Sequence, residues 1–350
     1  MVKFLCVILG ALWLLSCNNK SAAPDVSNIK IDIHVLRFEQ DFFALDTNDL
    51  VNQTQQLNKK YPGFLQDYFN SILGLNANAI LAGDTEQLRG VKTFIRDYTG
   101  MKDSAEKVFR NFSKEEKDIE QSLRFLKYYF PSYKTPANVI TFIGPIDAFF
   151  ETSFGTQGDI ITPNGLATGL QLHLGNNFSF YKSEQGMELY PEYISRNFTP
   201  DHIPVNCMKN IIDDMYPTKP STKSLIELMV ERGKRLYLLD KLLPELAEFM
   251  KINYTIKQME DAYKNEAVIW DFFLRNDLLN NEEQNITKNY IGESPKTQEL
   301  GEDAPGNLGS FTGWQIVKKF MSKNLDVSLD SLMKIEPREV FDKAKYKPKI

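Results

Sequence analysis

Lys223–Pro244 reads KSLIELMVERGKRLYLLDKLLP and is the clearest helix in the chain. Leu225, Leu228, Met229, Leu236, Leu239 and Leu243 recur on one face at helical spacing. Ser221 and Thr222 are the candidate N-caps, and Pro244 ends the run. Two residues inside the stripe break the apolar pattern. Gly233 costs roughly 1 kcal/mol against alanine in a helix interior, so it predicts a place where another backbone comes close. Arg232 points with the leucines and, if buried, needs a carboxylate or several carbonyls, because an unpaired buried charge is very unfavourable. Glu231 and Asp240 lie on other faces, so that partner has to come from elsewhere in the chain. Two readings follow. One is a core helix whose arginine snorkels to the surface; the other is a polar centre in a cleft, built around Glu231 and Arg232.

Outward from this helix, composition sets the class. Among 350 residues 42% are apolar, with 24 Phe and 15 Tyr, so the chain can bury a large core and is not globally disordered. The net charge of −5 comes with no long basic run, which argues against nucleic acid as a partner. Of the three cysteines, Cys6 and Cys17 lie at the N-terminus, leaving Cys207 with no internal disulfide partner. No CxxC pair is present to hold zinc.

The N-terminus, MVKFLCVILGALWLLSC (Met1–Cys17), has Lys3 as a positive start and then an apolar run, Phe4–Leu15, too short to span a membrane comfortably. Leu14, Ser16 and Cys17 resemble a bacterial lipobox. The resemblance implies a signal peptide over residues 1–16, cleavage before Cys17, and palmitate-type acyl chains on Cys17 that anchor a soluble domain. Residues 17–28 then form a lipidated polar tether. The site is expected in the cell envelope, facing the periplasm, with the membrane leaflet left open.

Residues 29–350 read as one globular domain. Ile29–Phe38 alternates as a strand. Gln40–Leu45 reads as a turn, with helices at Asp49–Lys60, Phe64–Leu75, Thr85–Asp97 and Ser104–Phe112. A further helix is headed by a Ser113–Glu116 capping box, so the part up to about residue 137 is helical. Val139–Ile143, Phe149–Phe154 and Gly165–Leu174 suggest a small sheet over about 138–175. Asn176–Tyr190 reads as a surface loop, and YPEYISRNFTPDHIP after it as an ordered lid or partner surface. The C-terminal part is helical: Val205–Met215, the Lys223 helix, Tyr254–Leu279 opened by a Thr255–Gln258 capping box, and Pro305–Met321. In that last segment Trp314 and Val317 pack inward while Lys318 and Lys319 face solvent. Glu282–Glu302 reads as an acidic loop, and Glu336–Ile350 as a polar tail. The fold class is α+β, mostly helical, with a small mixed sheet packed against helices.

Catalytic motifs are scarce. His34, His173 and His202 are far apart, and no HExxH pair shares a helix face to bind zinc. A site from His173, His202 and Glu231 is geometrically conceivable. There is no GxSxG elbow, no phosphate-binding glycine loop, and no convincing histidine partner for Cys207. No metal, cofactor or catalytic residue is assigned.

The lipobox at Cys17, Tyr190–Cys207, Glu231–Pro244, NEAVIWDFF (Asn265–Phe273) and Pro305–Met321 together resemble the gliding motility lipoprotein GldB family of Bacteroidetes-type bacteria, in order and over nearly the whole chain. The resemblance implies an envelope lipoprotein required for gliding, with other gliding or secretion-machinery proteins as partners and no catalysis. An exposed patch around Tyr190–Phe198, including Tyr193 and Phe198, is then expected. The Glu231 helix and the GxxxGWQIV segment are also similar to predicted zinc proteases, which implies a degenerate zincin-like scaffold without its histidine ligands. Two other functions stay open beside the first: an unusual hydrolase with Glu231 in its cleft, and an envelope protein that binds a small ligand through aromatics near Trp314.

Overall fold

The computed structural model describes residues 23–218, 222–301 and 304–348, so Cys6, Cys17 and Ser221 lie outside the described residues. The chain opens with β1 (His34–Arg37) and passes directly into α1 (Phe38–Phe43). The strand is shorter than the alternation predicted, and Gln40–Leu45 is mostly helix, because Phe38 and Phe42 are drawn into an aromatic cluster. Phe38 makes edge-on contacts with Tyr61, Phe64 and Tyr68, at ring-centroid distances of 5.1, 5.0 and 4.6 Å.

Next come α2 (Leu50–Lys60), α3 (Phe64–Asp67), α4 (Ala77–Leu81), α5 (Thr85–Val108) and α6 (Ser113–Tyr129). The two helices expected between Thr85 and Phe112 are one. Asp84 caps it by accepting from the Glu86 and Gln87 N–H groups at 3.0 Å. Gly100 lies inside the helix without interrupting it. Ser113 does not cap α6: it is the first helical residue, and the Asn111 side chain accepts its N–H at 2.9 Å.

The sheet follows: β2 (Asn138–Phe142), the hairpin β3 (Phe150–Thr152) and β4 (Gly155–Gln157), β5 (Ile160–Thr162) and β6 (Gly165–Gly169). The order is β1-β2-β6-β5, with β1, β2 and β6 parallel and β5 antiparallel at the edge; β3 and β4 pair separately. Strand alternation divides the interior in two. Ile140, Phe142 and Ala167 point into the aromatic core formed with α1–α5. Val139 and Leu166 point into the larger core under the C-terminal helices.

The C-terminal part runs through α7 (Glu184–Leu189), α8 (Glu192–Ser195), α9 (Ile203–Met215), α10 (Leu225–Leu242), α11 (Glu248–Lys251), α12 (Ile256–Lys264), α13 (Glu266–Arg275), α14 (Gln284–Ile291), α15 (Leu308–Lys323), α16 (Leu329–Lys334) and α17 (Pro337–Ala344). The expected loop at 176–190 is ordered around the fully buried Tyr181. The single helix expected from Tyr254 is broken after Lys264, while its capping box is present, with Thr255 N–H on Gln258 Oε1 at 2.9 Å and Gln258 N–H on Thr255 Oγ1 at 3.1 Å. The expected acidic loop contains α14. The expected polar tail folds as α17, burying Val340, Ala344 and Tyr346.

Helix α10 is the organising element, but it is buried on nearly every side rather than along one stripe. Ile226, Val230, Leu238 and Leu242 are buried beside Leu225, Met229, Leu236 and Leu239, and Leu228 is only half-buried. Its N-cap is Ser224, whose N–H donates to Glu227 Oε2 at 2.9 Å; Thr222 stands outside the cap. The close approach expected at Gly233 is present. A Cβ there would collide with the carbonyl oxygen of Gly313 on α15, and a Cβ on Gly313 would collide with that of Met229. The two helices therefore cross with their backbones in contact.

Candidate functional site

Helix α9 positions the polar interior. Asn206, Lys209, Asn210 and Asp213 recur at i, i+3, i+4 and i+7, one face of a helix. This stripe looks toward the sheet and α10. Asn206 donates to Asp159 Oδ2 at 2.7 Å, and Gln157 donates to Asn210 Oδ1 at 2.7 Å. Asp213 accepts from the Ser153 N–H at 2.7 Å and from Arg235 Nη1 at 2.7 Å. The helix is expected over Val205–Met215 without a functional role, and the spacing of its polar residues is the available signal.

Asp159 and His173 form a fully buried pair, with Nε2 2.8 Å from Oδ2. Burial opposes the charged imidazole, but Asp159 and the Thr199 carbonyl, 3.1 Å from Nδ1, outweigh it and raise the His173 pKa. Both ring nitrogens then donate, and the second Asp159 oxygen accepts the Gly169 N–H at 3.1 Å. His173 is thus committed to holding β6 and the following segment. His202 accepts or donates at Nδ1 with Thr199 Oγ1 at 2.8 Å, and its Nε2 is buried without a partner. Burial, with Lys209 and His173 nearby, pushes its pKa down to about 3.

Glu231 stands apart from both histidines. It lines a broad cleft with Asp213, Arg232 and Arg235, and it pairs with Lys223 at 3.7 Å and Lys234 at 3.4 Å. The three residues conceived as a zinc site do not converge. Among the described residues no group of three or more His, Cys, Asp or Glu side chains is placed to hold a metal. Cys207 is buried, which pushes its thiol well up.

The cations of α10 divide sharply. Lys234 and Arg235, whose burial the helical stripe did not predict, are satisfied. Lys234 donates to the Ile335 carbonyl, and Arg235 adds the Tyr216 carbonyl at 2.6 Å to its Asp213 pair. Arg232 lacks the carboxylate or carbonyl set that the sequence demanded: its Nη1 is buried with no hydrogen-bond partner. Burial and the neighbouring Arg235 pull its pKa down to about 10. Lys209 is also buried, at 4% exposure, with its Nζ 5.5 Å from the Phe154 ring. Burial first lowers its pKa to about 8. Lys209 and Arg232 share one cavity with Asn253, Glu293, Asn307 and Ser310.

The other expected contact residues are placed differently from an exposed patch. Phe198 is buried between Tyr181 and Tyr190, at centroid distances of 5.2 and 4.9 Å. Tyr193 is half-buried at the mouth of a small cavity with Arg196 and Tyr254. Trp314 is fully buried, donates to Asp240 Oδ2 at 2.9 Å and carries Lys318 3.9 Å above its ring, so Lys318 is not free in solvent either. An interior indole with its N–H already used offers no surface to a partner or ligand. The exposed apolar side chains near this region are instead Phe149, Met187 and Leu189.

No helix among the described residues is long and apolar enough to cross a membrane. No curated protein and no solved structure matches the chain, so kinship to zinc proteases gains no support from known folds. A family model does match, over residues 19–348, which takes in the α9 stripe, the α10–α15 crossing and the cation cavity. The chain belongs to the gliding motility protein GldB family.

Proposed function

We propose that the chain is a lipid-anchored component of the cell envelope that serves gliding motility through protein contacts, without catalysis. The observation that carries this reading is the family match, which spans almost the entire chain and begins one residue past the neighbour of the lipobox cysteine, at residue 19. Cys17 supplies the membrane anchor, and the tether is shorter than the expected 17–28, because Val26 is buried in the larger core. The partners are other envelope proteins of the gliding or adhesin-secretion machinery, met on the periplasmic side.

The exposed apolar surface supports contact as the mode of action. Phe149 packs edge-on against Tyr190 at 6.5 Å, and Met187 and Leu189 lie on the short helix α7 that leads into Tyr190. Apolar side chains gathered in this way on a soluble surface mark a place for a partner. The test is cross-linking and affinity recovery of the tagged, lipidated protein from its own cells. Recovery of motility or secretion components, lost with Met187→Asp plus Leu189→Asp, is the expected result. A preparation free of such partners, with motility unaffected by the double substitution, would overturn the contact reading. Cys17→Ser tests the anchor separately: the protein should leave the membrane fraction.

A further inference from the structure

We infer that the cavity between α9, α10 and the start of α15 binds a small oxyanion, a phosphoryl or carboxylate group, held between Lys209 and Arg232. Three donors and one acceptor in this one cavity lack hydrogen-bond partners, and only the donors can bind an anion. Lys209 forms neither a hydrogen bond nor an ion pair within the described residues, and Arg232 Nη1, Asn307 Oδ1 and Ser310 Oγ are buried without partners. Ser310 is 2% exposed and Lys209 4%, so water does not solvate them freely. Neighbouring buried cations are treated otherwise: Arg235 is paired with Asp213 at 2.7 Å and Lys251 with Asp240 at 2.8 Å. Lys209 is buried and Arg232 half-buried with its Nη1 enclosed, and leaving these two adjacent cations unpaired is unfavourable unless an anion joins them.

The donor set suits an oxyanion. A guanidinium presents a planar fork, an ammonium a compact charge, and the Ser310 hydroxyl can donate a third hydrogen bond. Asn307 and Ser310 also mark the N-terminus of α15, where the dipole favours negative charge, although the Ser310 N–H already donates to the Asn307 carbonyl at 3.1 Å. The cavity itself is about 20 Å³, room for one water-sized group such as an anion's oxygen. Two small neighbouring cavities share Asn253 and Glu293 with it, and they can take the rest of a ligand.

Glu293 is the carboxylate lining this cavity; its charge, with that of Asp213, offsets the two cations in part, but no ion pair joins it to either. It accepts from Asn253 Nδ2 at 3.2 Å and is backed by Gly155, where a Cβ would lie 2.7 Å from its carboxyl carbon. Asp213 is occupied by Arg235 and Ser153. Two cations against one carboxylate leave an excess positive charge for a ligand.

The experiment is thermal unfolding of the full chain, purified from its own cells, titrated with inorganic phosphate and, separately, acetate against chloride at constant ionic strength. A saturable rise in melting temperature with either probe is expected; the probe that acts identifies the phosphoryl or the carboxylate class. Lys209→Met and Arg232→Met should each weaken the apparent affinity at least tenfold. Each should also raise the melting temperature without anion, since each removes an unpaired buried charge. Glu293→Gln should bind the same probe several-fold more tightly. Equal shifts in wild type and both cation variants would mean an adventitious ion only, and no shift with either probe would overturn the inference. If the methionine variants fail to fold, Ser310→Ala decides: unchanged affinity counts against the site, several-fold weakening supports it.

Discussion

The two faces of the sheet enclose interiors of opposite character. On one face, the aromatic core of α1–α5 uses its polar groups as fasteners. Thr54, fully buried, donates to the Leu50 carbonyl at 2.7 Å, and the Tyr68 hydroxyl donates to the Ile143 carbonyl at 2.7 Å. On the other face, α9, α10 and α15 bring in cations and leave Lys209 and Arg232 open. Burial alone does not force satisfaction: Thr54 and Tyr68 are closed by carbonyls in a packed interior, whereas Arg232, Asn307 and Ser310 each keep an open polar atom around one cavity.

Substitutions can break this contrast. The largest effect is expected on the cavity side, from Gly313→Ala. Its Cβ would overlap the Met229 backbone, so stability should fall by about 4 kcal/mol or more, read by urea unfolding. On the fastener side, Phe38→Ala removes a fully buried ring from the aromatic cluster and should cost about 3–4 kcal/mol while leaving oxyanion binding intact.

Lys209→Met is expected to act in the opposite sense, stabilising the anion-free protein by about 1–3 kcal/mol at pH 7. The pH dependence sharpens the point. Folded Lys209 loses its proton near 8, whereas the unfolded chain keeps it up to the ordinary lysine range near 10.5, so between these values the unfolded state holds more protons. Wild-type stability should therefore gain about 1–2 kcal/mol relative to Lys209→Met from pH 8 to 9.5. His202 gives an acid-side counterpart. Because burial holds it near 3, stability should fall as pH drops from about 6.5, and His202→Gln should flatten that limb. The smallest effect on stability is expected from Met187→Asp with Leu189→Asp, within about 0.5 kcal/mol, as both side chains are exposed. Its readout is motility, and a loss of motility with the fold intact separates the contact surface from the cavity.

Much of the frame was legible in sequence because it is local. The α10 helix, the reason for Gly233, the Thr255 box and strand β2 follow from spacing, caps and alternation within a few residues. The failures are tertiary. Ser113 lost the cap to its neighbourhood, and the 336–350 segment became helical because the main core accepts Val340 and Ala344. The site was half legible: Arg232 stood out as a charge needing an explanation, yet Lys209 did not. The partners of the α9 stripe, Gln157, Asp159 and Ser153, lie about fifty residues away in the chain, and only folding brings them to that face.

The glycine crossing has a mechanical consequence. Where α10 and α15 touch, the notch at Gly233 and Gly313 admits only one register, because a slide by one turn, about 5.4 Å, would set larger side chains against backbone. The contact works as a detent between two long rods. A body tethered at one end and pulled by its partners at another would transmit tension through these helices without shear, and Arg232 on one rod would keep its distance from Ser310 on the other while the load passes.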